Sequence, residues 1–265
     1  MKIGKQNFAF NRTFIMGILN ITPDSFFSNS RVIPIEALAA AKKMIEEGAD
    51  IIDIGGESTR PGFEAISVEE ELKRIVPALI ELKNNVDTPI SIDTYKASVA
   101  EKVIIEGADL INDIWGLKED PKMAEVISRY GVSCCLMHNR KVAKYRNLIE
   151  DIIMDLKESI KIALNAGIKK DKIILDPGIG FAKSYEENLI VLRNLKRFKE
   201  LGFPLLLGTS RKSVIGLTLD LPVEERLSGT LATTTLAISA GFDFVRVHDV
   251  KENKRTAQMA DKICR

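Results

Sequence analysis

Four side chains able to carry positive charge stand in three separate short stretches. Arg60 lies in Glu57-Ser58-Thr59-Arg60-Pro61-Gly62, Lys212 in Gly208-Thr209-Ser210-Arg211-Lys212-Ser213, and Arg246 and His248 in Arg246-Val247-His248. Such a set suits an anionic leaving group or a phosphate, because a guanidinium grips such oxygens with two parallel N–H bonds. Asp93, Asn112 and Asp176 offer acceptors and an amide instead, the complement of a flat heterocycle with amino and ring N–H donors. Asn20 adds an amide oxygen of the kind Mg2+ accepts when it is shared with substrate phosphates. Only two histidines, His138 and His248, are present, so a histidine-based metal cluster is not expected. No Gly-x-Ser-x-Gly elbow or Walker lysine loop occurs. Ser210 and Ser213 neighbour Arg211 and Lys212 and read as hydrogen-bonding groups rather than nucleophiles. His138 reads as a packed residue behind the site, and Trp115 as core.

These residues need a scaffold that brings distant stretches together, and the sequence repeats one phrase that supplies it. Gly48-Ala49-Asp50-Ile51-Ile52-Asp53-Ile54 is echoed by Gly107-Ala108-Asp109-Leu110-Ile111-Asn112-Asp113 and by Gly241-Phe242-Asp243-Phe244-Val245-Arg246-Val247. The glycine suits a helix C-cap, and the β-branched run that follows suits a strand buried on both faces. Read this way, strands are predicted near 14–21, 49–55, 89–94, 110–116, 132–138, 172–178, 204–208 and 244–249. Helices are predicted between them, including 35–47, 68–84, 148–166 and 186–201, with a last one near 251–262. Eight strand–helix units over 265 residues predict a single-domain α/β chain folded as a (β/α)8 TIM barrel spanning 1–265. A doubly wound open sheet is the alternative, and it would usually carry fewer units and a glycine-rich first turn. In the barrel, the polar residues just described fall at the C-terminal strand ends, where active sites lie.

Composition excludes several classes. A net charge of +1, with 28% charged and 45% hydrophobic residues, leaves no electrostatic footprint for nucleic acid or membrane. No apolar run approaches the length of a membrane span, and the polar start Met1-Lys2-Ile3-Gly4-Lys5-Gln6-Asn7 has no signal-peptide core. Adjacent Cys134 and Cys135, with Cys264, form no CxxC pattern and read as reduced, buried thiols in a cytoplasmic protein.

The motifs, taken together and in order, resemble the bacterial dihydropteroate synthase family over nearly the whole chain. They are Gly17-Ile18-Leu19-Asn20-Ile21-Thr22-Pro23-Asp24-Ser25-Phe26, Asp53-Ile54-Gly55-Gly56-Glu57-Ser58-Thr59-Arg60-Pro61-Gly62, Ser91-Ile92-Asp93-Thr94, Asn112-Asp113, Leu175-Asp176-Pro177-Gly178-Ile179-Gly180-Phe181, Ser210-Arg211-Lys212-Ser213 and Arg246-Val247-His248-Asp249-Val250. The resemblance implies a transferase that joins 6-hydroxymethyl-7,8-dihydropterin diphosphate to p-aminobenzoate, giving 7,8-dihydropteroate and pyrophosphate. It implies that Asp93, Asn112, Asp176 and Lys212 hold the pterin, with Arg246 packed over its ring. It assigns Asn20, Thr59, Arg60, Arg246 and His248 to the diphosphate and its Mg2+, with Asn20 the metal ligand. Arg60, Lys212, Arg246 and His248 are the expected catalytic groups. Phe26, Pro61, Phe181 and Ser213 are the expected p-aminobenzoate pocket. A homodimer and a sulfonamide target are also implied.

Departures from the family pattern are local. Phe27-Ser28-Asn29-Ser30 replaces Ser-Asp-Gly-Gly, and Asn139-Arg140-Lys141-Val142-Ala143-Lys144 replaces a Met-x-Gly-x-Pro stretch. Ala182 stands for a glycine and Glu187 for a histidine. One rival is a pterin-binding methyltransferase domain, which shares the Asp/Asn/Asp constellation but handles no diphosphate. The Thr59-Arg60, Ser210-Arg211-Lys212 and Arg246-Val247-His248 elements argue against it. A second rival is a pterin binder that has lost turnover through its altered first loop.

Overall fold

The computed structural model describes residues 1–21, 33–57 and 65–265, without the side chain of Ile33. Eight parallel strands form the centre: β1 Phe14–Asn20, β2 Ile51–Gly55, β3 Ile90–Asp93, β4 Leu110–Asp113, β5 Ser133–Met137, β6 Ile173–Asp176, β7 Leu206–Leu207 and β8 Phe244–Val247. Neighbours in sequence are neighbours in the sheet, β8 pairs with β1, and β7 pairs with β8. A parallel bridge between Leu175 and Leu205 joins β6 to the entry of β7 and closes the ring. The helices are α1 Ile33–Glu46, α2 Val68–Asn85, α3 Ala97–Ile105, α4 Met123–Tyr130, α5 Leu148–Asn165, α6 Tyr185–Arg193, α7 Ser213–Leu219, α8 Leu227–Ser239 and α9 Val250–Cys264. The expected TIM barrel is therefore the observed fold. The strands are shorter than predicted: the first predicted residues of β2, β3, β5, β6 and β7 lie outside the ladder, and so do the last predicted residues of every strand but β2, which begin the loops of the site. The helix predicted over 186–201 is a helix to Arg193 followed by a 3-10 stretch, Leu195–Leu201.

The repeated phrase has a structural job. Gly48, Gly107 and Gly241 hold φ of +104°, +104° and +84°, the left-handed turn that ends a helix and that side chains disfavour. The aspartate two residues on then ties strands together from below. Asp50 Oδ2 accepts the Ile15 N–H at 2.9 Å, Asp109 Oδ2 that of Ile90 at 2.9 Å, and Asp243 Oδ2 that of Leu205 at 3.0 Å. Arg12 and Lys83 neutralise the first two carboxylates. These bonds sit at the N-terminal ends of the strands, the face of the barrel given to stability.

Alternation along the strands divides the core in two. Ile15, Ile52, Ile54, Ile92, Ile111, Leu136, Leu175, Leu207 and Val245 face the helices and pack with them. Phe14, Met16, Ile51, Leu110, Cys135, Ile174, Leu206 and Phe244 fill the barrel interior from below. A short hairpin, Lys2–Ile3 paired with Gln6–Asn7, plugs that end with Ile3 and Phe8. The Phe8, Phe14 and Phe244 rings stack there at centroid distances of 4.7, 5.5 and 5.7 Å. Apolar filling thins halfway up, where Asp53, Asn112, Asp176 and Arg246 point inward beside Ile18 and Met137.

Two expectations are corrected. Trp115 is not core: it is partly exposed and lines a cavity of about 430 Å³ with Lys118 and Arg140, because Asp113 turns the chain outward by accepting the Trp115 and Leu117 N–H groups. Cys134 and Cys135 are free and buried, but Cys264 is exposed near the end of the last helix.

Candidate active site

The two-residue period of each strand fixes which side chains meet in the barrel mouth. Asn20, Gly55, Asp93 and Asn112 are register partners across β1 to β4. A methyl group placed on Gly55 would lie 3.5 Å from Asn20 Oδ1 and 3.8 Å from Asp93 Cβ. Across the mouth, a methyl group on Gly208 would lie 3.5 Å from Asp176 Oδ2 and 3.9 Å from both Arg246 Cβ and Lys212 Nζ. Both glycines therefore leave room for no more than a methyl group in contact with the acids and cations that converge there.

Arg246 enters the mouth from β8. Its Nε donates to Asp53 Oδ2 at 2.6 Å and its Nη2 to Asp93 Oδ2 at 2.7 Å. Asp53 Oδ1 and Asp93 Oδ1 are buried and receive no hydrogen bond among the described residues. Burial pushes the Asp93 carboxyl up to about 7, and the Asp53 charge adds to the rise while Arg246 opposes it. Asp176 is also raised by burial, against the pull of Lys212 and the Gly178 N–H at 2.7 Å. Lys212 is lowered by burial to about 8, with Asp176 holding it up. Its Nζ donates to Ile179 O at 2.5 Å and lies 4.7 Å from the centre of the Phe181 ring.

His248 stands two residues beyond Arg246 on the same rim. Ser210 Oγ accepts the His248 backbone N–H at 3.1 Å and lies 3.0 Å from Nδ1. Arg211 turns away from the mouth and pairs with Asp249, Nε to Oδ2 at 2.9 Å. Ser213 begins α7, exposed, beside a separate cavity lined by Gly216 and Arg226. Phe26, Thr59, Arg60 and Pro61 lie outside the described residues. Asn20, Asp93, Asn112, Asp176, Lys212, Arg246 and His248 thus belong to one rim, with Phe181 beside Lys212.

Three residues were absent from the predicted site. Asp53 is the inward acid of β2, and its parity with Arg246, two strands away around the ring, was the available signal. His138 is wholly buried and bridges Asp155 and Lys183, through Nε2 at 3.0 Å and Nδ1 at 2.9 Å. Lys183 sits in the loop after β6, and nothing in its spacing announces a partner 45 residues away.

Comparison with known proteins accords with this geometry. The pterin binding enzyme family matches residues 16–248. A dihydropteroate synthase of Clostridium beijerinckii is 60% identical over 268 residues, covering 100% of both chains. The crystal structure of dihydropteroate synthase from Clostridium difficile in the presence of pteroic acid superposes with a TM-score of 0.93 at 50% identity, covering 99% of this chain and 98% of that one. The Yersinia pestis dihydropteroate synthase in complex with a sulfonamide drug gives 0.92 at 37% identity, with coverage of 99% and 98%. By motif order, fold and rim chemistry alike, the chain belongs to the pterin-binding enzyme family and, within it, to the dihydropteroate synthases.

Proposed function

We propose that this rim condenses 6-hydroxymethyl-7,8-dihydropterin diphosphate with p-aminobenzoate, releasing pyrophosphate and forming 7,8-dihydropteroate. The observation that carries the reading is the pairing of two buried acids, Asp93 and Asp176, with two partly buried cations, Lys212 and Arg246, at the barrel mouth. A pterin presents amino and ring N–H donors along one edge. Asp93 Oδ1, buried and without a donor among the described residues, and the Asp176 carboxylate would accept them, while Asn112 supplies an amide and Lys212 donates to ring acceptors. Arg246 is then divided between holding Asp53 and covering the ring.

Cleavage follows from the charges. The bond between the pterin methylene carbon and the diphosphate oxygen breaks, and its electron pair leaves with pyrophosphate. His248 and Arg246 would meet the negative charge that grows on the leaving group, with Arg60 assigned the same part by the family resemblance, and a water-poor site strengthens each contact. Asp93 and Asp176 favour the positive charge left on the pterin. The neutral arylamine nitrogen then attacks the methylene carbon and loses a proton, so no side-chain nucleophile is required. Phe181, with Phe26 and Pro61 by the family resemblance, would receive p-aminobenzoate, while Ser213 stands beside the separate cavity.

The donor set also fits Mg2+. Among the described residues no cluster of three acidic, histidine or cysteine side chains could hold a metal, but Mg2+ commonly takes one or two protein oxygens and completes its shell with water and substrate phosphates. Asn20 Oδ1, beside Gly55 at the barrel mouth, would be that oxygen. The ion would supply charge neutralisation to the departing pyrophosphate. The family likeness further supports a cytoplasmic homodimer. No described helix is long and apolar enough to cross a membrane, and sedimentation at micromolar protein tests the dimer.

The deciding experiment follows pyrophosphate release from the pterin diphosphate with and without p-aminobenzoate, and with and without a chelator. Release that needs p-aminobenzoate and yields dihydropteroate supports the reading, and its loss with chelator supports Mg2+. Pterin binding by calorimetry without any release would point instead to a methyltransferase-like or degenerate pterin binder.

A further inference from the structure

The sixth loop, residues 177–184, runs between β6 and α6, and several of its carbonyl groups take donors from outside the loop's own backbone. Lys212 Nζ serves Ile179 O, Tyr145 Oη serves Ala182 O at 2.7 Å, and Asn188 Nδ2 serves Ser184 O at 2.7 Å. Two carbonyls at the bend, Gly178 O and Phe181 O, both accept from Lys183 Nζ, at 2.9 and 3.0 Å, and Gly178 O also takes the Phe181 N–H at 3.2 Å. The third contact of that ammonium is His138 Nδ1 at 2.9 Å. An ammonium has three protons, and here all three have acceptors.

His138 can accept at Nδ1 only as a neutral ring carrying its proton on Nε2. The surroundings enforce that form. Nε2 lies 3.0 Å from Asp155 Oδ2, Arg140 Nε holds the same oxygen at 2.5 Å, and burial lowers the imidazole to about 4. The chain Arg140–Asp155–His138–Lys183 thus runs from the fifth loop, through β5 and α5, to the bend of the sixth.

We propose that Lys183 is a positioning residue for the p-aminobenzoate side of the site: by joining Gly178 O, Phe181 O and His138 Nδ1 it fixes the bend that presents the Phe181 ring. The inference rests on the reading of Phe181 as part of the acceptor pocket. Lys183 itself touches no substrate, and Phe181 is the part of its reach that faces Lys212.

Proton loss would loosen this staple. Lys183 faces Asp176 at the end of β6, Lys212 from the seventh loop, Glu187 from α6, Arg140 from the fifth loop and His138 at the end of β5. Burial outweighs the acids and lowers the ammonium to about 7. The neutral amine keeps two protons, so it serves only two of its three acceptors and the staple loses one of its three ties.

The test uses the full chain, wild type with Lys183→Met and Lys183→Arg, at saturating pterin diphosphate. Lys183→Met is expected to raise the KM for p-aminobenzoate roughly tenfold, while pterin affinity by calorimetry changes less than about twofold. In wild type that KM is expected to climb as pH rises through about 7. The Met variant should show the high value at every pH, and the Arg variant, which stays charged, a smaller and pH-independent rise. An active wild type with unchanged KM in Lys183→Met, or a kcat loss with no KM change, overturns the inference alone. Should the Met variant fail to fold, a wild-type KM that is flat with pH overturns it. A wild type that forms no dihydropteroate overturns the functional reading as well, which separates the two failures.

Discussion

The Arg246 guanidinium turns one edge to two acids, its Nη2 lying 2.7 Å from Asp93 Oδ2 and its Nε 2.6 Å from Asp53 Oδ2. One cation therefore serves two buried acids, and the like charge of Asp53 adds to the burial that raises Asp93. Removing one partner of a buried pair strands the other. Arg246→Ala is expected to lose about 3–5 kcal/mol of stability together with turnover, read by urea denaturation and pyrophosphate release. A wild-type denaturation midpoint would contradict the pairing.

The same group sets a pH window. Asp93 accepts a pterin N–H as a carboxylate, the form present above about 7, and Lys212 donates as an ammonium, the form present below about 8. The kcat/KM for pterin diphosphate should rise through the first value and fall above the second, since it reports the free enzyme. Asp53→Asn removes a like charge that raises Asp93, so the acid limb should move to lower pH. An acid limb that stays in place would separate the two residues.

Gly208 tests the position of the pterin. Its φ is not in the left-handed region, and the nearest atoms to an added methyl group are 3.5–3.9 Å away, so Gly208→Ala should fold normally. The methyl would occupy the space between Asp176, Lys212 and Arg246. Pterin affinity is expected to fall at least about tenfold with the melting temperature little changed, and calorimetry beside thermal unfolding reads both.

Asp109 makes the opposite prediction. It binds the Ile90 N–H and Lys83 at the stability face, far along β3 from Asp93. Asp109→Ala should cost about 2–3 kcal/mol while leaving both Michaelis constants near wild type. A selective rise in either constant would show that the two faces are coupled.

Ala182 holds φ +47° where the family usually carries glycine. Ala182→Gly is expected to add roughly 1 kcal/mol of stability by relieving that left-handed strain, measurable as a higher denaturation midpoint. The second departure has its own reason. Glu187 closes a capping box with Ser184, its carboxylate taking the Ser184 N–H at 2.7 Å while Ser184 Oγ takes that of Glu187 at 3.2 Å.

Much of the fold and of the rim is legible in the linear chain. The Gly-x-Asp echoes announce the strand starts because a helix end and a buried strand each leave a local signature. Asn20, Asp93, Asn112, Asp176 and Arg246 can be placed on one rim because strand ends in a barrel share a face. Ser184-Tyr185-Glu186-Glu187 also carries a capping-box pattern, although the spacing predicts the helix one residue later.

What the linear chain determined, then, was periodicity, punctuation and chemical type: which segments alternate, where helices stop, and which ends carry charge. Tertiary structure decided the pairings. Arg246 meets Asp53 and Asp93 across 193 and 153 residues, and Lys183 meets His138 across 45. Closure of the ring sets those distances, and burial then makes each unpaired charge costly enough to select its partner. Neither the closure nor the burial is written in any local stretch of sequence.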